Sequence, residues 1–228
     1  MKPKVWGRSG WTLLFAITGD YPKKPDSMTA NQYKQFFECL QFILPCPACC
    51  DNYASHYRRL SINPYLNNRD SLFEWLLKIH NFVRKYLYQP EISPDRLLSK
   101  YYNNRLALVE GRKDPLVWGF EAWKFLFAVA YQYPKRPTPK DQSHYRQFFM
   151  GLQHVLPCEP YRRRYARYLA EIPLDPYLAS RYYLFEWVFK AHNTINKGLG
   201  RTLSSHHDAL QTYFDGLFTT RHIQKSQS

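Results

Sequence analysis

Residues 33–46 read YKQFFECLQFILPC, and residues 145–158 read YRQFFMGLQHVLPC. In the first stretch Tyr33, Phe36, Phe37, Leu40, Ile43 and Leu44 recur at the spacing of one face of an amphipathic helix. Tyr145, Phe148, Phe149, Leu152, Val155 and Leu156 repeat that face 112 residues later. Working outward, the same offset holds without a gap. Trp6-Gly7 meets Trp118-Gly119, Tyr21-Pro22-Lys23 meets Tyr133-Pro134-Lys135, and Leu72-Phe73-Glu74-Trp75 meets Leu184-Phe185-Glu186-Trp187. Between residues 3–90 and 115–202, 36 of 88 positions are identical, which makes the chain a tandem duplication.

Helical periodicity continues through each copy. Trp11, Leu14, Phe15 and Thr18 mark an earlier helix. Leu72, Leu76, Ile79, Val83 and Leu87 mark a later one, and residues 49–60 fit a short helix between them. No stretch alternates with the period of a strand. The expected fold is therefore all-α: two tandem four-helix bundles, each with an extra short helix, packed on one another as a pseudo-dimer within a monomer. The expected divisions are an active unit over 1–90, a connecting helix or linker over 91–113 (its helix near 97–108), a second unit over 114–202, and a C-terminal helix (near 207–214) and tail over 203–228. Most aromatic residues are read as core.

Composition narrows the function. The chain has 228 residues, and its five cysteines are too few for a disulfide-stapled secreted scaffold. No apolar run spans a membrane, and residues 1–6 lack the apolar core of a secretory signal, so a cytoplasmic setting is expected. Thirty-two Lys and Arg against 18 Asp and Glu give +14. That charge favours acidic partners or surfaces, but with no recognised motif beside it, specific nucleic-acid binding is not expected.

Cys46-Pro47-Ala48-Cys49 is the one Cys-x-x-Cys in the chain. It falls between two expected helices, at the start of the second. Two sulfurs at that spacing can close a small disulfide ring, and a helix N-terminus favours a thiolate. Two other readings stand beside a redox dithiol. The pair can be inert buried cysteines, or Cys46, Cys49 and Cys50 with His56 or His80 can supply zinc ligands, although no second Cys-x-x-Cys or regular His pair supports a metal. His80-Asn81 reappears as His192-Asn193, which suggests a shared inward polar task.

In order, Trp6-Gly7-Arg8-Ser9-Gly10-Trp11-Thr12-Leu13-Leu14-Phe15, Tyr21-Pro22, Cys46-Pro47-Ala48-Cys49 and His80-Asn81-Phe82-Val83 resemble the Erv/ALR family of FAD-linked sulfhydryl oxidases, most closely its viral members. The resemblance implies a four-helix bundle holding FAD beside the dithiol. Cys49 would face the flavin, and Cys46 would be the outer sulfur attacked by an incoming thiolate. Arg8, Trp11, His80, Asn81 and Val83 match the family's cofactor positions, and Lys85 would meet the phosphates. Phe15 stands where the family has His, Arg84 where it has a second Asn, and Tyr88-Gln89-Pro90 where it has Gly-Lys-Pro.

The second copy keeps His192-Asn193-Thr194-Ile195-Asn196 but has Tyr161 in place of the second Cys. The resemblance thus implies one active and one degenerate unit. Electrons would pass from reduced protein thiols through Cys46–Cys49 and FAD to oxygen, giving hydrogen peroxide. No second dithiol exists to shuttle electrons, so a thioredoxin-like partner would deliver them, in host cytoplasm or a virion if the chain is viral. The alternative is a catalytically inactive member kept as a scaffold for assembly or partner binding.

Overall fold

Prolines occupy the first or second position of five of the eight long helices described, where a missing N–H costs nothing. In the computed structural model, which describes residues 1–97 and 115–198 with Gly200, Ser205 and Asp208, the first unit comprises α1 (Pro3–Asp20), α2 (Ser27–Ile43), α3 (Pro47–Arg59) and α4 (Arg69–Tyr86). The second comprises α5 (Pro115–Gln132), α6 (Pro139–Val155), α7 (Glu159–Glu171) and α8 (Arg181–Lys197). A short 3₁₀ segment precedes the last helix of each unit, at Asn63–Tyr65 and Asp175–Ala179. Side-chain caps fix where several helices start. Asp26 accepts from Thr29 N (2.7 Å), Asn68 accepts from Ser71 N (2.9 Å), and Thr138 forms a reciprocal box with Asp141.

Among the described residues there is no strand, and no helix is long and apolar enough to cross a membrane. The helices expected near 97–108 and 207–214 lie outside the described residues.

The two units share their internal hydrogen bonds as well as their sequence. Tyr21 donates to Leu66 O (2.7 Å) and Tyr133 to Leu178 O (2.8 Å). The Trp75 and Trp187 indoles donate to Leu60 O and Ile172 O, each at 3.0 Å. Arg69 and Arg181 both reach the backbone carbonyl that ends the first helix of their unit, Tyr21 O and Tyr133 O. Each buried ring is thus anchored at its polar end by a backbone carbonyl at the equivalent position of its unit.

The units meet through α1 against α5 and α2 against α6. In a twofold arrangement, a residue touches its own counterpart only near the axis. Three such pairs occur here. Ser9 Oγ donates to the Glu121 carboxylate, Gln147 Nε2 donates to Gln35 O (3.3 Å), and Phe36 stacks on Phe148 with ring centroids 5.6 Å apart. The pseudo-twofold axis therefore runs through the middle of both helix pairs. Gly10 allows the close approach of α1 to α5, since a Cβ there would lie 3.1 Å from the Phe125 ring.

Candidate redox site

The end of α2 and the start of α3 build the site. Leu44 and Pro45 turn the chain, Cys46 is extended at the N-cap (φ −165°, ψ 117°), and Pro47 opens α3. Cys46 and Cys49 are joined as a disulfide with Cα atoms 5.1 Å apart, and Cys49 N donates to the Cys46 sulfur (3.3 Å). Both cysteines are half-buried and the intervening Pro47 and Ala48 are exposed, so one edge of the disulfide faces solvent. The first turn of α3 carries no acidic side chain to oppose a thiolate.

The other thiols of this unit are held protonated. Burial pushes Cys50 up to about 11, and its Sγ donates to Leu44 O (3.4 Å). Cys39, buried in α2 and bonded to Phe36 O (3.0 Å), is pushed higher still by burial. His56 is buried against Phe82, with ring centroids 5.3 Å apart. Neither ring nitrogen has a protein hydrogen-bond partner among the described residues, and desolvation, aided by Arg59, lowers its pKa.

The structure places the remaining sequence-derived residues on α1 and α4. Trp11, half-buried, stands edge-on to buried His80 with centroids 4.7 Å apart. Phe15 packs behind them, 5.8 Å from His80 and 5.4 Å from Phe73. Val83 is half-buried, whereas Arg8 and Lys85 are exposed. The Asn81 carboxamide clasps the chain beyond α4, donating to Ile92 O (3.1 Å) and accepting from Ile92 N (3.0 Å). Arg84 reaches Pro90 O (2.6 Å). Sequence reasoning missed this clasp because its partner is a backbone peptide eleven residues away.

The second unit shows the shape of the enclosure. Trp118, Gly119, Trp123, Leu156, Tyr161 and Ile195 line a narrow apolar cleft of about 30 Å³. Their counterparts in the first unit are Trp6, Gly7, Trp11, Leu44, Cys49 and Val83. Phe127, the counterpart of Phe15, lies behind the cleft against Phe185 and His192 and does not plug it. His192 is held by Asn196 (2.9 Å) and Asn193 (3.2 Å).

At the lost dithiol the second unit is rebuilt. Cys158 adopts φ 81°, and its N–H donates to Asp20 Oδ2 (3.3 Å) of the first unit. Arg162 pairs with the same carboxylate and donates to Leu156 O (2.8 Å). Tyr161 stands edge-on to Trp118 at 5.2 Å. The signal for this rebuilding was present in the repeat, where Asp20 aligns with Gln132 and Arg162 with Cys50.

The sequence pattern of the Erv1 / Alr family matches residues 8–103 and again residues 120–215. The chain belongs to that family. Within it, the chain is 38% identical over 99 residues to the "Probable FAD-linked sulfhydryl oxidase R368" of Acanthamoeba polyphaga mimivirus, covering 43% of this chain and 69% of that one. It is 33% identical over 85 residues to the "Mitochondrial FAD-linked sulfhydryl oxidase ERV1" of Saccharomyces cerevisiae, covering 37% and 44% respectively. The match therefore spans less than half the length of that yeast enzyme. The crystal structure of the yeast Erv1 core aligns at 28% identity over 46% of this chain and 87% of its own, with a TM-score of 0.42.

The relatives' names raise the question of whether the first unit fits an FAD. Two features are compatible with it, the first shared with Trp118 of the second unit. The Trp6 indole Nε1 is buried with no protein acceptor among the described residues, an N–H that a heteroaromatic cofactor can satisfy. A Cβ at Gly7 would meet nothing within 4 Å, and Cys49 stands where the second unit has the bulkier Tyr161.

Proposed function

We propose that the first unit is an FAD-dependent thiol oxidase that makes disulfides in protein substrates. The observation that carries this reading is the half-exposed Cys46–Cys49 disulfide at the start of α3, in a unit whose Trp6 indole N–H is buried and unsatisfied among the described residues.

A substrate thiolate attacks the Cys46 sulfur. The Cys46–Cys49 bond breaks, a mixed disulfide forms at Cys46, and Cys49 is released as a thiolate. The second substrate thiol then attacks the substrate sulfur of that mixed disulfide. The product is a substrate disulfide and a reduced Cys46/Cys49 pair, which has gained two electrons. The chemistry a bound FAD supplies is acceptance of that electron pair from the pair's Cys49 side and its delivery to oxygen as hydrogen peroxide. Trp11, His80 and Val83 would hold the ring system and Arg8 and Lys85 the remainder, whereas the Asn81 carboxamide, expected to join them, is bonded to Ile92. The second unit, with Tyr161 in place of a sulfur, has no disulfide to exchange. Reduced protein thiols, delivered by a thioredoxin-like partner in the cytoplasm or a virion, are the proposed electron source.

Purified protein should be yellow and should consume oxygen with dithiothreitol, and Cys49→Ala should abolish consumption while leaving the helical content intact. Colourless, inactive protein would support the other reading, a scaffold. That reading is favoured by the commitment of Asn81 and Arg84 to backbone beyond α4.

A further inference from the structure

The two junctions between units are related by the internal symmetry yet differ in charge. Beside the lost dithiol, the last residue of α1, Asp20, lays its carboxylate on Cys158 N and on Arg162. Glu159 adds a second carboxylate in the first turn of α7. Beside the intact dithiol, the last residue of α5 is Gln132. The Met1 nitrogen donates both to Gln132 Oε1 (2.9 Å) and to Pro45 O (2.8 Å), the carbonyl of the peptide bond leading into Cys46. The pKa of that nitrogen is lowered by desolvation and then by the Arg181 guanidinium. Asp20 thus touches the backbone of Cys158 directly, whereas Gln132 is linked through the Met1 nitrogen to the Pro45 carbonyl that precedes Cys46. The side chain at this repeat position is negatively charged beside the eroded dithiol and uncharged beside the intact one.

We propose that Gln132, although it belongs to the second unit, sets the charge beside the first unit's redox site, its uncharged amide keeping the approach to Cys46 free of the carboxylate that Asp20 places beside Cys158. Exchange at Cys46 needs a thiolate both when the substrate disulfide is released and when the reduced pair is reoxidised, and a like charge nearby disfavours one. The eroded unit has no thiolate to protect, so its junction carries the ion pair instead. On this account the second unit is part of the machinery: it contributes a wall of controlled charge to its sister's dithiol. The consequence for turnover rests on the oxidase reading, but the ionisation of Cys46 is measured without it.

The test uses the full chain, reduced and freed of reductant, with iodoacetamide alkylation of Cys46 followed by mass spectrometry from pH 5 to 9. Gln132→Glu should raise the Cys46 midpoint by about one unit, slowing alkylation at pH 7 about tenfold. The gap should shrink in about 1 M salt, where such charges are screened. Gln132→Leu, which removes the hydrogen bond and adds no charge, should stay within about twofold of wild type, since no Coulomb interaction changes. Wild-type rates in Gln132→Glu would overturn the proposal, and so would equal slowing in Gln132→Leu. If wild-type protein consumes no oxygen while Gln132→Glu still shifts the midpoint, the oxidase reading fails and the role of Gln132 stands. If the wild type turns over and the midpoint in Gln132→Glu does not move, the oxidase reading stands and the role of Gln132 fails.

Discussion

Asp20→Ala tests how firmly the units are joined. The Asp20 side chain is 2% exposed, while that of its partner Arg162 is 25% exposed. The substitution removes the counter-charge from a mostly buried guanidinium and the acceptor from Cys158 N. Breaking a buried pair from one side costs about 3–5 kcal/mol, because the remaining charge stays desolvated. Arg162 keeps a bond to Leu156 O and its exposed quarter can rehydrate, which places the loss near the lower end, about 3 kcal/mol. For a chain of this size that is a fall in Tm of about 6–12 °C. Adding Arg162→Met should recover most of the loss, since the stranded charge is then gone. Calorimetry or urea unfolding of the four proteins in the cycle gives the coupling directly. A loss below about 1 kcal/mol in Asp20→Ala, or simple additivity of the two substitutions, would refute the reasoning.

Gly10→Val should destabilise by about 1–3 kcal/mol, because the added carbons press on Phe125, and thermal unfolding measures it. Phe36→Ala, at the ring stack on the pseudo-twofold axis, should cost about 3–5 kcal/mol, whereas the exposed Phe42→Ala should cost far less; urea titrations compare them. Thr138→Ala removes the capping box of α6 and should cost about 1 kcal/mol in the same assay. The raised Cys50 midpoint predicts that its alkylation stays slow at pH 8 and accelerates only as pH approaches 11, a profile read by peptide mass spectrometry. His56, lowered by burial, binds its proton more readily in the unfolded chain. Stability therefore falls as pH drops through the ordinary histidine range toward the depressed value, and His56→Phe should flatten that slope in unfolding measured from pH 7 to 5.

Much of the helical layout was legible because it is local. The face of Tyr33, Phe36, Phe37 and Leu40 has a period that needs no tertiary information, and Pro47 and Pro139 mark helix starts by their own geometry. That Cys46 and Cys49 can close a small ring was legible from their spacing at a helix start, and the structure shows them joined. What connects the two units was not legible. Asp20 lies 142 residues from Arg162, and no periodicity links them. The side chain of Asn81 reads as an inward polar group on α4, yet its hydrogen bonds go to a peptide whose path depends on the turn after the helix. Phe15 reads as a lost polar partner, and only packing shows that its counterpart Phe127 lies outside the lining of the second unit's cleft, against Phe185 and His192.

The meeting of Ser9 with Glu121 on the axis has a consequence for how such a chain can diverge. Two identical subunits must set each axial residue against itself, so a glutamate there would confront a second glutamate. Joining the copies end to end lifts that rule, and a hydroxyl can answer a carboxylate. Covalent fusion therefore gives each half licence to change without mirroring the other, so that one can keep a reactive pair of sulfurs while its twin gives up its own.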